Sequence, residues 1–490
     1  MEGASGLGHK ADMTNKEYRI ESDSIGEKEV PAHAYYGVQT LRAFENFPIT
    51  NTYYPSEMIV SVAEIKKAAA LANFKAGCLE EECAQAIVSA CDKIIAGEYH
   101  DAFITDAIQG GAGTSFNMNA NEVIANIANE ILGGEKGVYD KVHPNDHVNC
   151  GQSTNDVFPS CGKLTAVKLL DAAQNELKSL HEALLLKSEQ FNDVIKMGRT
   201  QLQDAVPIRL GQEFKAYACA ISRDIKRFDA AKDEMRNLNL GGTATGTGLN
   251  ADVNYVKDIV PTLVDVCGIE LHQTEDLIDG TQNLDCYPYV SGILKSCAVS
   301  LSKMSNDLRL MSCGPRCGLS EINLPAKQNG SSIMPGKVNP VIPEVVSQVA
   351  FDVIGNDVTI AMASEAGQLE LNPFEPVIFY NLFNSINEIK HAAQTLTDNC
   401  VSGITANAEH TKEMVDNSVA VITALCPYVG YTEAARVAKL ALKTGASVKD
   451  LILSEGLISQ EDMDIILQPE ALTKPGIAGL DKLGLARLMK

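Results

Sequence analysis

Residues 330–340 read GSSIMPGKVNP. Two serines, a lysine and an asparagine stand among two prolines and two glycines in this stretch. Pro335 removes a backbone donor and clashes with a preceding turn, and Gly336 is flexible, so the segment cannot run on as a helix. Ser331 or Ser332 could serve as nucleophile or base, Lys337 supplies a cation and Asn339 an amide. Most such loops are surface connections. Against that bland reading, three more polar clusters occur upstream, each near a predicted helix start.

The first cluster, residues 111–117, carries Thr114 and Ser115 after a run of glycines. Taken alone these hydroxyls read as helix caps. The second is Gln152-Ser153-Thr154-Asn155-Asp156. Capping accounts for one or two of its side chains, not for five in a row, so structural and functional readings weigh equally. His143 and His147 lie in the same loop, but no matched carboxylate spacing makes them a metal pair, and they read as solvent-facing or supporting. The third cluster is Arg199-Thr200-Gln201-Leu202-Gln203-Asp204. An Arg199–Asp204 ion pair is its plain explanation, which leaves Thr200 and Gln201 as free polar candidates. Together the four clusters offer hydroxyls, amides and one lysine, an inventory suited to binding carboxylates. Hydroxyls at helix N-termini add the favourable end of the dipole. GGAGTS at 110–115 and GGTATGTG at 241–248 lack the lysine and spacing of a phosphate loop, and no strand precedes either as a dinucleotide fold requires. No cofactor is called for.

The elements that must position these clusters read as helices. Helical patterning runs over 58–76, 81–96, the stretch after Thr114 to Gly133, 166–191, 210–238, 290–312, 343–365 and 379–400. Ala166, Leu170, Ala173, Leu177, Leu180 and Leu184 give the spacing of a long bundle seam, with Pro159 in the first turn of that helix. Residues 143–159 and 196–207 read as polar breaks, and 1 to about 20 as disordered. Period-two alternation is scarce, so the fold class is mainly α. At 490 residues the chain accommodates about three domains. Its net charge of −22 disfavours nucleic acid and anionic membrane surfaces. No signal peptide is visible and no uninterrupted apolar run reaches the length of a membrane span. The 13 cysteines read as free, mostly buried thiols of a reducing, cytoplasmic compartment. Cys313 and Cys317 flank a Gly-Pro-Arg turn without a second Cys/His pair, so no zinc site is expected.

GSSIMPGKVNP resembles the common loop motif of the fumarase/aspartase superfamily. GGAGTSFNMNANEVIAN, PNDHVNCGQSTND, KMGRTQLQDAVP and the N-terminal YYGVQTLRAFENF are similar to the family's other motifs, in order, over about residues 18–457. The resemblance implies a homotetramer with a core of long helices and active sites shared between three subunits. It implies three domains, 1–154, 155–407 and 408–490. Fumarases carry His where Gln201 stands, so it further implies an ammonia-lyase interconverting L-aspartate with fumarate. Fumarate hydration and a non-catalytic relative are the alternatives. By resemblance, Thr114, Ser153, Thr154 and Ser332 hold the β-carboxylate, and Lys337 and Asn339 the α-carboxylate. Asn155, Thr200 and Gln201 then hold the amino group. Ser331 is the base, and it forms the catalytic pair with Lys337. No metal or other cofactor is required; divalent-cation activation, a property of some relatives, is compatible with this scheme.

Overall fold

The computed structural model describes residues 18–488. Most of the stretch read as disordered therefore lies outside the described residues. Its last three residues instead open β1 (Tyr18–Asp23), which pairs antiparallel with β2 (Gly26–Pro31). No apolar alternation announces this hairpin, because charged groups hold it. The Arg19 guanidinium donates to the carbonyls of Pro31 and Ala32 at 3.1 Å and of Ala34 and Tyr36 at 2.8 Å. Arg42, on α1 (Val38–Asn46), grips Asp23 at 2.9 Å.

The helices follow the hydrophobic periodicity. α2 (Ser56–Lys75), α3 (Glu81–Ile95) and α4 (Thr114–Ile131) begin and end within two residues of the reading. α5 (Thr154–Gln190) starts five residues before Pro159, so the proline lies inside the helix and not in its first turn. A proline there leaves a carbonyl four residues back without its helical donor. That carbonyl, of Asn155, accepts from Asn239 Nδ2 at 2.9 Å. The polar break at 196–207 is in fact a hairpin, β3 (Ile195–Thr200) with β4 (Gln203–Arg209). α6 (Leu210–Met235) follows, and then the short ladder strands β5 (Asn237–Leu238) and β6 (His272–Gln273). Between them runs α7 (Val253–Cys267), which the sequence reading passed over. Its signals were local: Asp252 caps it by accepting from Asn254 N, and Gly268 closes it at φ 68°. One further short turn, α8 (Asp279–Gln282), precedes three long helices: α9 (Cys286–Met311), α10 (Val341–Glu365) and α11 (Glu375–Asn399). β7 (Ile322–Asn323) pairs with β8 (Thr405–Ala406), and short helices fill the C-terminal part.

The chain forms two compact units. Among the described residues, one comprises 18–171, 229–292 and 355–386; the other comprises 172–228, 293–354 and 387–488. The divisions fall inside α5, α6, α9, α10 and α11. In the first unit, Phe116, Phe158, Phe379 and Tyr287 form a chain of rings with centroids 5.3–6.2 Å apart. In the second, Leu425, Val437, Ile452 and Ile466 centre a core built from the C-terminal helices.

α10 carries two apolar stripes. Val346, Ala350, Val353 and Ile360 are buried, whereas Phe351, Val358 and Met362 are 57–66 % exposed at helical spacing. By length and composition alone this helix could cross a membrane, with only 28 % of its apolar window buried. All 13 cysteines are free. Six are buried and three exposed, fewer buried than expected.

Candidate active site

Clusters one and two meet in the first unit. Residues 110–113 form a tight glycine-rich turn that delivers Thr114 to the start of α4. Gly113 has φ 91°, and a Cβ there would lie 2.3 Å from the Phe158 ring. Gly113 thus serves close packing on the aromatic chain. Thr114 donates its hydroxyl to the Gly111 carbonyl and borders a cavity of about 600 Å³, with Arg42, Ser115, His143 and Asn145 also on the wall.

Three residues along α4, Asn117 donates Nδ2 to Thr154 Oγ1 at 3.2 Å and to Asn149 Oδ1 at 3.3 Å. Thr154 Oγ1 is therefore an acceptor within the protein, which leaves its own proton for a ligand. Ser153 Oγ likewise accepts from Asn155 N at 3.2 Å. Two hydroxyls with available protons at the N-terminus of a long helix make a cradle for a carboxylate. His143 and His147 do not reach into it. His143 Nδ1 accepts from the backbone of Asn145 and Asp146, and His147 Nδ1 from that of His143. His143 caps the turn at 144–148, and His147, inside it, reaches back to the capping residue.

Under the cradle lies a residue that the sequence reading missed. Lys66 is fully buried, and its Nζ donates to Asn149 Oδ1 at 2.8 Å and Gln152 Oε1 at 3.0 Å. Burial pulls its amine down to about 7, and burial pushes the neighbouring Asp156 carboxyl up to about 6. The signal for Lys66 was present in the helical register. Val62, Lys66, Ala69 and Asn73 share one stripe of α2, and all four are buried. The turn at 241–248, set aside as a failed phosphate loop, also belongs here. Asp156 accepts from the backbone N–H of Gly241 and Thr243 at 3.0 and 3.1 Å, and Asn155 Nδ2 donates to the Ala244 carbonyl at 2.8 Å.

Clusters three and four lie in the second unit. Thr200 and Gln201 sit at the tip of the β3–β4 hairpin, both exposed. Gln201 and Leu202 occupy the two-residue turn at φ 55° and 62°, the left-handed backbone of a type I′ hairpin. The expected Arg199–Asp204 pair is loose, with Nε and Oδ1 4.0 Å apart. Arg199 instead binds the buried Glu321 at 2.6 Å, which Lys196 also approaches at 2.9 Å, while Asp204 accepts from Ser418. Fully desolvated, Glu321 draws both cations away from the exposed aspartate.

Cluster four is an exposed loop folded on itself. Gly330 N donates to the Lys337 carbonyl at 2.9 Å, and Asn339 Nδ2 to the Gly330 carbonyl at 2.7 Å. Ser331 Oγ accepts from Ile333 N at 3.2 Å and Met334 N at 3.0 Å. Ser332 and Lys337 are exposed, and among the described residues no carboxylate lies within ion-pair distance of Lys337. The structure thus gathers Thr114, Ser153, Thr154 and Asn155 in one unit. It gathers Ser331, Ser332, Lys337 and Asn339 in a single loop of the other, where Thr200 and Gln201 share a hairpin tip.

Comparison with known proteins identifies the family. Residues 26–355 match the family model described as Lyase, and residues 421–474 match that of the fumarase C C-terminus. The chain is 54 % identical over 468 residues to an aspartate ammonia-lyase of Bacillus subtilis, covering 96 % of this chain and 98 % of that one. It is 53 % identical to one from Helicobacter pylori, over 93 % and 98 % of the two chains. A crystal structure described as fumarate lyase:delta crystallin from Brucella melitensis bound to cobalt superposes with a TM-score of 0.91 at 48 % identity, covering 94 % of this chain and 100 % of that one. The class II fumarase of Schistosoma mansoni superposes with a TM-score of 0.89 at 34 % identity over the same shares. The chain therefore belongs to the fumarase/aspartase superfamily of lyases, in its aspartate ammonia-lyase branch.

Proposed function

We propose that this chain catalyses the reversible deamination of L-aspartate to fumarate and ammonia, with Ser331 as the base. Removing a proton beside the β-carboxylate is the hard step, because the electron pair left behind spreads onto that carboxylate as extra negative charge. Donors already aimed at the carboxylate stabilise this state more than the ground state. Ser153 and Thr154, whose protons no acceptor among the described residues takes, fit that task; Thr114, which donates to the Gly111 carbonyl in the structure, and Ser332 are assigned to the same carboxylate. Lys337 and Asn339 receive the α-carboxylate; Asn155, Thr200 and Gln201 receive the amino group. Once the β-proton has passed to Ser331, the Cα–N bond breaks with its electrons on nitrogen, which leaves as neutral ammonia. Expelling ammonia needs no proton donor, in keeping with a non-titrating Gln201.

The observation that carries the mechanism is the pair of backbone amides on Ser331 Oγ. A free serine is a poor base. Two N–H groups directed at its oxygen favour the alkoxide, as donors favour any charged form. The reading includes a homotetramer with sites completed by three subunits. The exposed stripe of Phe351, Val358 and Met362 supports it, since a helix apolar on both faces calls for burial on both. The free cysteines support a cytoplasmic setting. The test is direct: follow fumarate absorbance with aspartate, then with malate. Formation of fumarate from aspartate alone is expected; formation from malate alone would make the protein a hydratase.

A further inference from the structure

Asn155 is held from every side by the protein itself. Its N–H donates to Ser153 Oγ at 3.2 Å, and its carbonyl accepts from Asn239 Nδ2 at 2.9 Å, where Pro159 supplies no helical donor. Its carboxamide Nδ2 donates to the Ala244 carbonyl at 2.8 Å. That last contact fixes which end of the amide faces outward. Flipping the group would set Oδ1 against a carbonyl oxygen, acceptor against acceptor. Oδ1 is the end left over.

The Ala244 carbonyl owes its place to a strained turn. Thr243, a β-branched residue, has φ 55°. Such a conformation persists only where the surroundings impose it. Here Thr243 N and Gly241 N both donate to Asp156 Oδ2, at 3.1 and 3.0 Å, and Thr243 Oγ1 donates to the Leu249 carbonyl at 3.2 Å. The other oxygen of Asp156 accepts from Ser153 N at 2.9 Å. One fully buried carboxylate thus ties the turn at 241–248 to the segment that carries Asn155.

We propose that Asp156 is a positioning residue that, through the turn at 241–248, presents Asn155 Oδ1 to the substrate nitrogen. An ammonium group carries donors and no acceptor, so it needs a fixed acceptor opposite it. The inference rests on the reading that Asn155 receives the amino group.

The test runs in the direction of ammonia addition, with KM measured separately for ammonia and fumarate. Asp156→Asn replaces an accepting oxygen by an NH₂ group that faces N–H donors. It is expected to raise the KM for ammonia about 10- to 100-fold, the worth of one hydrogen bond to a charged group. The KM for fumarate should move by a smaller factor, because Asp156 reaches fumarate only through the Ser153 N–H held by its other oxygen. A scaffold role alone would lower kcat and leave both KM values in place, which would overturn the proposal. Should Asp156→Asn not fold, Thr243→Ala removes the hydroxyl that closes the turn, together with the γ-methyl. It should shift the ammonia KM in the same direction by about 2- to 10-fold, the worth of one neutral hydrogen bond; no shift would overturn the proposal. Asn155→Ala separates the two levels. If it leaves the ammonia KM unchanged, the role of Asn155 itself is wrong. If it raises that KM while Asp156→Asn and Thr243→Ala do not, Asn155 keeps its role and the positioning device fails.

Discussion

In the proposed mechanism the cradle in the first unit and the loop at 330–340 both carry hydroxyls for the same reaction, yet they are built in opposite ways. The cradle is immobilised from below. Lys66, Asn117, Asn149, Asp156 and Asn239 all spend their polar atoms on it, and an aromatic chain lies under Gly113. The loop holds itself. Its hydrogen bonds run between its own residues, and Ile333, Met334 and Val338 are 83 %, 47 % and 53 % exposed. A segment with few buried contacts opens at low free-energy cost, whereas a buried polar network does not. The difference suits the two tasks. Groups that recognise a ground-state carboxylate gain from being fixed in advance, and a base that must meet its proton after substrate enters gains from arriving on a segment that can close.

Ser331→Ala is the largest lever on this contrast. It removes the base and leaves the cradle untouched. Turnover should fall about 10³-fold or more, within the range for loss of a general base. Binding of aspartate, measured calorimetrically, should change little. Near-normal turnover would take the base away from the loop and leave the comparison without its mobile half.

The same chemical change made in each region separates packing from backbone cost. Gly113 and Gly336 both have positive φ, 91° and 81°. A Cβ on Gly113 would fall 2.3–2.5 Å from three atoms of the Phe158 ring. Gly113→Ala should therefore cost about 1–3 kcal/mol of overpacking on top of about 1–2 kcal/mol for the left-handed backbone. A urea titration reads the sum. A loss below about 1 kcal/mol would mean the cradle is far softer than its contacts indicate.

The cradle also has a pH signature of its own. Burial pulls the Lys66 amine from its ordinary 10.5 down to about 7. Between these values the unfolded chain binds the proton and the folded chain does not, so this group makes stability rise with pH from about 7 upward, by at most about 1.4 kcal/mol per unit. Below about 7 that contribution is absent. Buried acids such as Glu375, pushed up to about 8 by burial, act in the opposite sense up to about that pH. The wild type must therefore be compared with Lys66→Met at each pH. The gap between them should widen in favour of the wild type from pH 7 to 8.5, by about 1–2 kcal/mol. A gap that stays constant would show that Lys66 carries no titration linkage.

How much of this could be read beforehand follows the same division. The loop was legible because its chemistry lies in consecutive residues: serines, lysine and asparagine among prolines and glycines. The long helices were legible because their periodicity is strong. The support beneath the cradle was not. Lys66, Asn239 and the turn at 241–248 reach Asn149, Gln152 and Asn155 across more than 80 residues of chain, and each looks ordinary in its own neighbourhood. The hairpins were missed for another reason. β1 and β2 are held by Arg19 and Arg42, not by an apolar face, and β3–β4 turns on Gln201-Leu202 where Asn-Gly would have signalled it. The Arg199–Asp204 pair forms but is loose, because a distant carboxylate, Glu321, is the better desolvated partner.

Gly336→Ala is the smallest effect and the one that defines the loop. Nothing lies within 4 Å of a Cβ at this position, so only the backbone cost remains, about 1 kcal/mol. Because the loop makes few buried contacts, that cost should not register in global unfolding: the urea midpoint should match the wild type. It falls instead on the folded loop that presents Ser331 and Lys337. A penalty of about 1 kcal/mol on that state lowers its population about fivefold, and turnover with it. Gly113→Ala predicts the reverse pairing, with stability lost first and activity lost through it. If Gly336→Ala shifted the urea midpoint and spared turnover, the loop would belong to the rigid scaffold. The division between a fixed cradle and a closing base would then have to be abandoned.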